Sequence, residues 1–389
     1  MTELSREKPE DINIKAGDDA SKSFYEAAKL TYSNQPDVLR EEFSSFSGLR
    51  SMNFRKLGWG VRGGQESDGI GTKVEIAERV GRHDTIAFDL MAMICDDAAI
   101  RGGESLLVQT VLDVNTLGKS TDPEALQEYI HRSMGEIATG YAAAANAAGV
   151  VISGGETAEL GDRVGGYGPF NYNWGGTALW AGRRSRLITG KKLRPGDTLI
   201  GFAEHGFRSN GITNVRQAML EKYGDDWHNV VDRSLGDIAL GELALEPSTV
   251  YSGFMTKLTG GYRRKQKPLA KIHAAAHITG GGQPSKIGRM LEPTGLGVEI
   301  TNPIAPPNIM LKMQEINGYD DRTAYGKWHM GPGMVIATPE PDAILEAAQH
   351  YGNGIELYVI GRATEKPGIR TINVGAGQDS RWLEFNPAV

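Results

Sequence analysis

The sequence predicts a chain of interleaved helices and strands divided between two domains. Three observations predict it. The 389 residues suffice for two separate cores. Segments of helical and of strand-like apolar pattern alternate along the whole length. A basic, turn-rich stretch from Arg183 to Gly196 parts them into two groups, which sets the domains at 1–182 and 183–389.

In order, the first fifteen residues are polar and charged. A helical pattern runs from Ala20 to Tyr32, with Phe24, Ala27, Ala28 and Leu30 on one face. Phe43 to Gly64, rich in Ser, Gly and Arg, reads as loop, and Val74 to Val80 as helix. Asp84 to Ile94 reads as a strand leading into a helix, with Met91 and Met93 in the core. Ser105 to Leu112 has the length and apolar content of a buried strand. The longest helix spans Pro123 to Ala148, where Leu126, Ile130, Met134, Ile137 and Tyr141 recur on one face. Thr121 and Glu124 have capping-box spacing, Pro123 suits a first turn, and Gly149 suits the C-cap. Strands at Val150 to Ser153 and Gly176 to Ala181 complete this half.

In the second half, Asp197 to Phe202 is a strand, and a turn at Ser209 to Gly211 opens a helix over Ile212 to Lys222. A glycine run, Thr279 to Gly282, follows Ala274 to Ile278. Gly333 to Ala337 is a strand, Ala343 to Tyr351 a helix, and Leu357 to Ile360 the final strand. No fixed-period repeat is present.

Composition narrows the function. A net charge of −6 argues against nucleic acid as the main partner, because binding a phosphate backbone needs a basic surface. The single cysteine, Cys95, forms no internal disulfide and fits a reducing compartment. No apolar run reaches the ~18 residues of a membrane span, and the N-terminus lacks a signal-peptide core, so the expected location is the cytoplasm. No HExxH, paired CxxC or GxSxG occurs, which removes the usual supports for zinc hydrolysis and serine nucleophiles.

The chemistry-bearing residues lie in glycine-softened turns. Asp68, Gly69, Gly71, Thr72 and Lys73 lead into a helix, and lack the spacing of a P-loop or a dinucleotide fingerprint. A structural turn and a phosphate-binding turn are both open here, the helix N-terminus favouring phosphate. Asp96 and Asp97 fall in an apolar stretch, where burial is costly without a cation or hydrogen-bond donors. Asp97 is the better metal ligand, with Asp96 a supporting or helix-capping residue; an N-cap with a solvated neighbour is the plain alternative. Gly154, Gly155, Glu156, Thr157 and Glu159 follow a strand, where open sheets place ligands. His277, before three glycines, is open to three readings: metal ligand, phosphate contact or core histidine. Together these residues suit a nucleoside triphosphate held through a divalent metal, and so an ATP-using enzyme.

In this order the segments resemble the aminoimidazole ribonucleotide synthetase (phosphoribosylformylglycinamidine cyclo-ligase) family. The matching pieces are Asp68 to Lys73, Arg82 to Ile86, Met91 to Gly102, Gly154 to Glu159, Ser209 to Gly211 with Val215 and Arg216, Ala276 to Gly282, and Met330 to Met334. The resemblance implies a two-domain α+β fold: an N-terminal sheet pairing across a homodimer into a barrel, and a C-terminal mixed sheet with flanking helices. It implies ATP with Mg2+, and conversion of formylglycinamidine ribonucleotide to aminoimidazole ribonucleotide in purine biosynthesis. Under it Asp68, Lys73, Asp97 and His277 are catalytic, and Asp68, Asp97 and Glu156 hold the metal. ATP contacts Gly69, Gly71, Thr72, Gly154, Gly155 and Thr157, while Ser209, Asn210, Gly211, Thr279, Gly280 and Gly281 bind the phosphorylated small-molecule substrate.

The chain departs from the family pattern at its serine-bearing loop (42–48), at Arg208 and His329 where histidine and asparagine are usual, at Asp96 in place of asparagine, and with Pro332 at a variable position. Arg208 would offer a bidentate phosphate grip. These departures leave two alternatives: another phosphorylating enzyme of the superfamily acting on a different substrate, or a nucleotide-binding paralogue without turnover.

Overall fold

A computed structural model describes residues 14–41, 50–119, 121–377 and 380–386. The serine-bearing loop lies outside them. Four strands of the first half form one sheet in the spatial order Val61–Gly69, Tyr172–Arg183, Glu104–Val114, Val151–Glu159. The first three pair antiparallel and the last pair is parallel. A parallel pair needs a crossover, and the helix Glu124–Ala148 supplies it. Alternation along Glu104–Val114 divides the faces: Val108, Thr110, Leu112 and Val114 are buried on the helix-covered side, while Gln109 and Val111 are exposed on the other.

Four expectations fail locally for physical reasons. Val61–Gly69 is a strand rather than loop. Its glycines are needed because Trp180 lies across them: a Cβ at Gly64 would sit 2.5 Å from the indole. Asp84 to Ile94 contains no strand, since the helix Ile86–Ala99 starts at its third residue. That helix is buried on nearly every face, so it carries no amphipathic period to read. The helix Glu124–Ala148 has Pro123 at its N-cap with no side-chain cap, so Thr121 and Glu124 form no capping box. The chain also continues past Leu357–Thr364 into Gly368–Ile372 and Trp382–Phe385. The first of these is short and half polar, which hid it.

The second half forms a seven-stranded mixed sheet in the order Trp382–Phe385, Gly368–Ile372, Gly297–Ile300, Leu357–Thr364, Thr198–Ala203, Pro332–Thr338, Ala274–His277. The architecture is α+β, with helices packed on each sheet. Two buried charge contacts tie the halves. Lys73 Nζ donates to Asp89 Oδ1 (2.8 Å) and to the carbonyls of Phe207 and Glu246 (both 2.6 Å). Asp96 Oδ1 accepts from the amides of Tyr251 (2.9 Å) and Ser252 (2.8 Å), so it caps the helix Ser252–Thr259. Among the described residues no helix is long and apolar enough to cross a membrane.

Candidate active site

The site lies where the loops of the two sheets face each other. From the first half come the turn after Val61–Gly69 and the C-terminal part of Ile86–Ala99. From the second come the helix start at Ile212–Tyr223 and the turn between Ala274–His277 and Gly282–Leu291. Two contacts close the arrangement: Thr72 Oγ1 to Thr213 Oγ1 at 2.9 Å, and His277 Nδ1 to Asp97 Oδ1 at 2.7 Å.

Asp97 keeps a part-exposed carboxylate (35%) against a fully buried imidazole. Burial works against its charge, but the hydrogen bond from His277 and the nearby cations outweigh it and hold Asp97 below its ordinary value. The other ring nitrogen of His277 lies 2.7 Å from an Arg208 guanidinium nitrogen, which can only donate. His277 is therefore the Nδ1–H tautomer, donating to Asp97. Burial, with Arg208 adding to it, brings its pKa down to about 4. Both ring nitrogens are engaged, so His277 orients Asp97 and has no free atom for a metal, phosphate or proton transfer.

Asp68 accepts from its neighbour's amide, Gly69 N, at 2.7 Å. Partial burial raises its pKa, the Gly69 amide opposes this, and the charge of Asp97 adds to it. Gly71 follows at φ 67° with open space where a Cβ would be, which leaves backbone facing the cleft. Opposite, Asn210 approaches the glycine turn: a Cβ at Gly280 would lie 3.5 Å from Asn210 Nδ2. Ser209 Oγ and Asn210 Oδ1 are buried polar atoms without a partner, as expected of groups that await a ligand. Gly211 and Gly281 precede their helices at positive φ, and Thr279 leads into the second turn.

Three sequence-based roles do not survive. Lys73 is fully buried with all three protons engaged, so it offers no charge to a phosphate. Arg208 is likewise buried, bound to Glu204 (2.6 Å), Asp96 (3.3 Å) and His277, and cannot grip an outside phosphate. The third concerns the run Gly154, Gly155, Glu156 and Thr157. Asp68, Gly176, Thr110 and Gly155 stand in one row across the sheet, which puts the two edges about 14 Å apart at ~4.8 Å per strand. Glu156, next along, points to the opposite face. The glycines make no turn, since the strand Val151–Glu159 continues through them after a register shift at Ser153. A Cβ at Gly155 would meet Thr110 O at 2.7 Å. With Tyr25 and Tyr141 this run lines a separate cavity of about 320 Å³, so within one chain Glu156 does not share a cation with Asp68 and Asp97.

Sequence reasoning missed Lys286 and Arg289. They line a cavity of about 530 Å³ between the halves, together with Asp97, His277 and Trp180. Partial burial and the Arg289 charge hold Lys286 below the usual lysine range, with Asp97 and Asp68 pulling the other way. The available signal was their i,i+3 spacing just after the glycine run.

Residues 64–178 match the model of the AIR synthase related protein N-terminal domain, and residues 194–372 that of the C-terminal domain. A phosphoribosylformylglycinamidine cyclo-ligase of Pyrococcus furiosus is 33% identical over 309 residues, covering 79% of this chain and 81% of that one. One from Shouchella clausii is 35% identical over 311 residues (80% and 83%), and one from Anaeromyxobacter 31% over 349 (88% and 89%). In fold, the chain is similar to thiamine-monophosphate kinase from Stenotrophomonas maltophilia, with a TM-score of 0.55 at 12% identity over 91% of this chain and 97% of that one. It is also similar to Escherichia coli HypE, at 0.56 and 16% over 93% and 96%.

Proposed function

The chain belongs to the phosphoribosylformylglycinamidine cyclo-ligase family of AIR synthase related proteins, and on that premise we propose that it closes the imidazole ring of purine biosynthesis at the expense of ATP. The observation that carries this reading is one cleft, in which Asp68 and Asp97 of the first half face Ser209, Asn210 and Gly280 of the second. Formylglycinamidine ribonucleotide and ATP would give aminoimidazole ribonucleotide, ADP and phosphate.

An amide oxygen is a poor leaving group. Attack of that oxygen on the γ-phosphorus releases ADP and leaves an iminophosphate. The amidine nitrogen then adds to the activated carbon, phosphate departs, and the nitrogen gives up its proton. Holding nitrogen and carbon together makes closure effectively unimolecular, a gain of ~7–11 kcal/mol.

Two like-charged carboxylates at Asp68 and Asp97 fit a magnesium ion, which commonly takes one or two carboxylates and completes its shell with phosphate oxygens and water. Among the described residues no group of three or more acids, histidines or cysteines is arranged for a metal, in keeping with a cation held partly by its nucleotide. When bound, such an ion neutralises charge on the transferred phosphoryl group. The backbone from Gly69 to Thr72 would face the phosphates. Ser209, Asn210, Gly211, Thr279, Gly280 and Gly281 would hold the ribonucleotide. The reading includes a boundary at 182/183, a cytoplasmic location and a homodimer. The exposed sheet face bearing Gln65, Ser67, Gln109 and Val111 supports the dimer, because sheet faces ordinarily pack on another layer.

The test is ADP release with ATP and a panel of amide and amidine ribonucleotides. Formylglycinamidine ribonucleotide should stimulate release with matching formation of aminoimidazole ribonucleotide. Release driven by another member of the panel, or ATP binding with no release at all, would overturn the assignment.

A further inference from the structure

The cavity between the halves is lined by two cations, Lys286 and Arg289, with the charges of Asp97 and Asp68 acting on the first from nearby. Lys286 and Arg289 stand three residues apart on Gly282–Leu291 and both line it. Neither forms an ion pair or a side-chain hydrogen bond with any described residue. Arg101, the third cation of the lining, is already paired with Glu66 at 2.8 Å. The one carboxylate of the lining, Asp97, is bound to the neutral imidazole of His277. Ile188, Met290 and Pro293 make the remaining wall largely apolar.

Two like charges side by side repel, and an anion bound between them removes that repulsion. A guanidinium beside an ammonium suits a phosphomonoester, the first gripping two oxygens and the second supplying a point charge. A cavity of about 530 Å³ is large enough for a phosphorylated pentose. Arg289 lies about 4.5 Å further along the helix axis than Lys286, away from the glycine turn. Binding energy from a phosphate held there would position the rest of the molecule.

We propose that Lys286 and Arg289 form the phosphomonoester subsite of the phosphorylated substrate, in the cavity they share with Asp97. The inference deepens the cyclo-ligase reading, and its test needs no turnover. Ribose 5-phosphate and a non-hydrolysable ATP analogue are titrated separately, by calorimetry at fixed magnesium and ionic strength, into the wild-type chain, the double variant Lys286→Gln/Arg289→Gln, and Lys286→Arg. The double variant should bind ribose 5-phosphate at least tenfold more weakly, with the ATP analogue changed less than threefold; Lys286→Arg should stay near wild type. Both residues are solvent-accessible, and a thermal melt confirms that the variants fold. Unchanged ribose 5-phosphate binding, no binding by the wild-type chain, or a tenfold loss for the ATP analogue instead would each overturn the subsite. Binding that depends on these two cations, in a chain that never turns over formylglycinamidine ribonucleotide, would sink the assigned reaction and keep the subsite.

Discussion

His277 Nδ1 donates to Asp97 Oδ1 across 2.7 Å, joining a strand end of the second half to a helix of the first. The imidazole is itself fixed by Arg208, which Glu204 and Asp96 hold in place. A carboxylate that must meet a cation is thus aimed by a buried, rigid chain of contacts. Partners of this kind are worth ~10–100-fold in metal affinity or activity. His277→Gln should lower ATP-dependent turnover by roughly that factor and weaken magnesium activation, while Asp97→Asn should abolish turnover with the melting curve retained. Steady-state kinetics over a magnesium series check both. Near-wild-type activity of Asp97→Asn would remove it from the site.

Lys73 belongs to the fold's energetics. Its ion pair with Asp89 is wholly enclosed, and Ser248 Oγ also donates to the same carboxylate oxygen at 2.6 Å. Burial already pushes the Asp89 pKa up against the pull of Lys73, so Lys73→Met would strip a buried carboxyl of its main partner, at a cost of about 3–5 kcal/mol. Over the 389 residues that corresponds to a fall in Tm of about 4–6 °C. Calorimetric melts of the two proteins decide it. A variant that melts like wild type yet fails to bind an ATP analogue would return Lys73 to the phosphates.

What could be read from the chain follows from the range of the interactions. Helices with one apolar face, such as Glu124–Ala148, declare themselves locally, and so do turns such as Ser209 to Gly211. Asp68, Asp97 and His277 stood out as polar groups in apolar or glycine-rich settings, and the structure gathers them in one cleft. Lys73 looked like a phosphate ligand because the groups that claim it, at 89, 207 and 246, are distant in sequence. Gly155 looked like part of a turn because a glycine required for close strand approach is indistinguishable, in one sequence, from one required for a turn. Lys286 and Arg289 were passed over because a cation on a helix is ordinarily a surface group, and only the facing wall shows that these two line a cavity.

Glu78 gives the stability of this chain a dependence on pH. It sits late in the helix Lys73–Val80, accepts from the Tyr129 hydroxyl at 3.3 Å, and leaves Oε1 buried without a partner. Burial pushes its pKa from 4.5 to about 8, with the Tyr129 hydroxyl and the Phe170 backbone opposing. The folded chain therefore holds a proton at Glu78 that the unfolded chain has already released, and linkage fixes the sign. The contribution is complete below about pH 4.5 and is lost as pH rises through about 8. His83, nearby, is brought down to about 4 by burial and acts the opposite way on the acid side, equally in wild type and variant. Glu78→Gln keeps the size and removes the titration. Urea midpoints at about pH 5.5 and 8.5 should show the variant gaining on wild type as pH rises. Parallel pH profiles for the two proteins would mean that Glu78 does not titrate in this window.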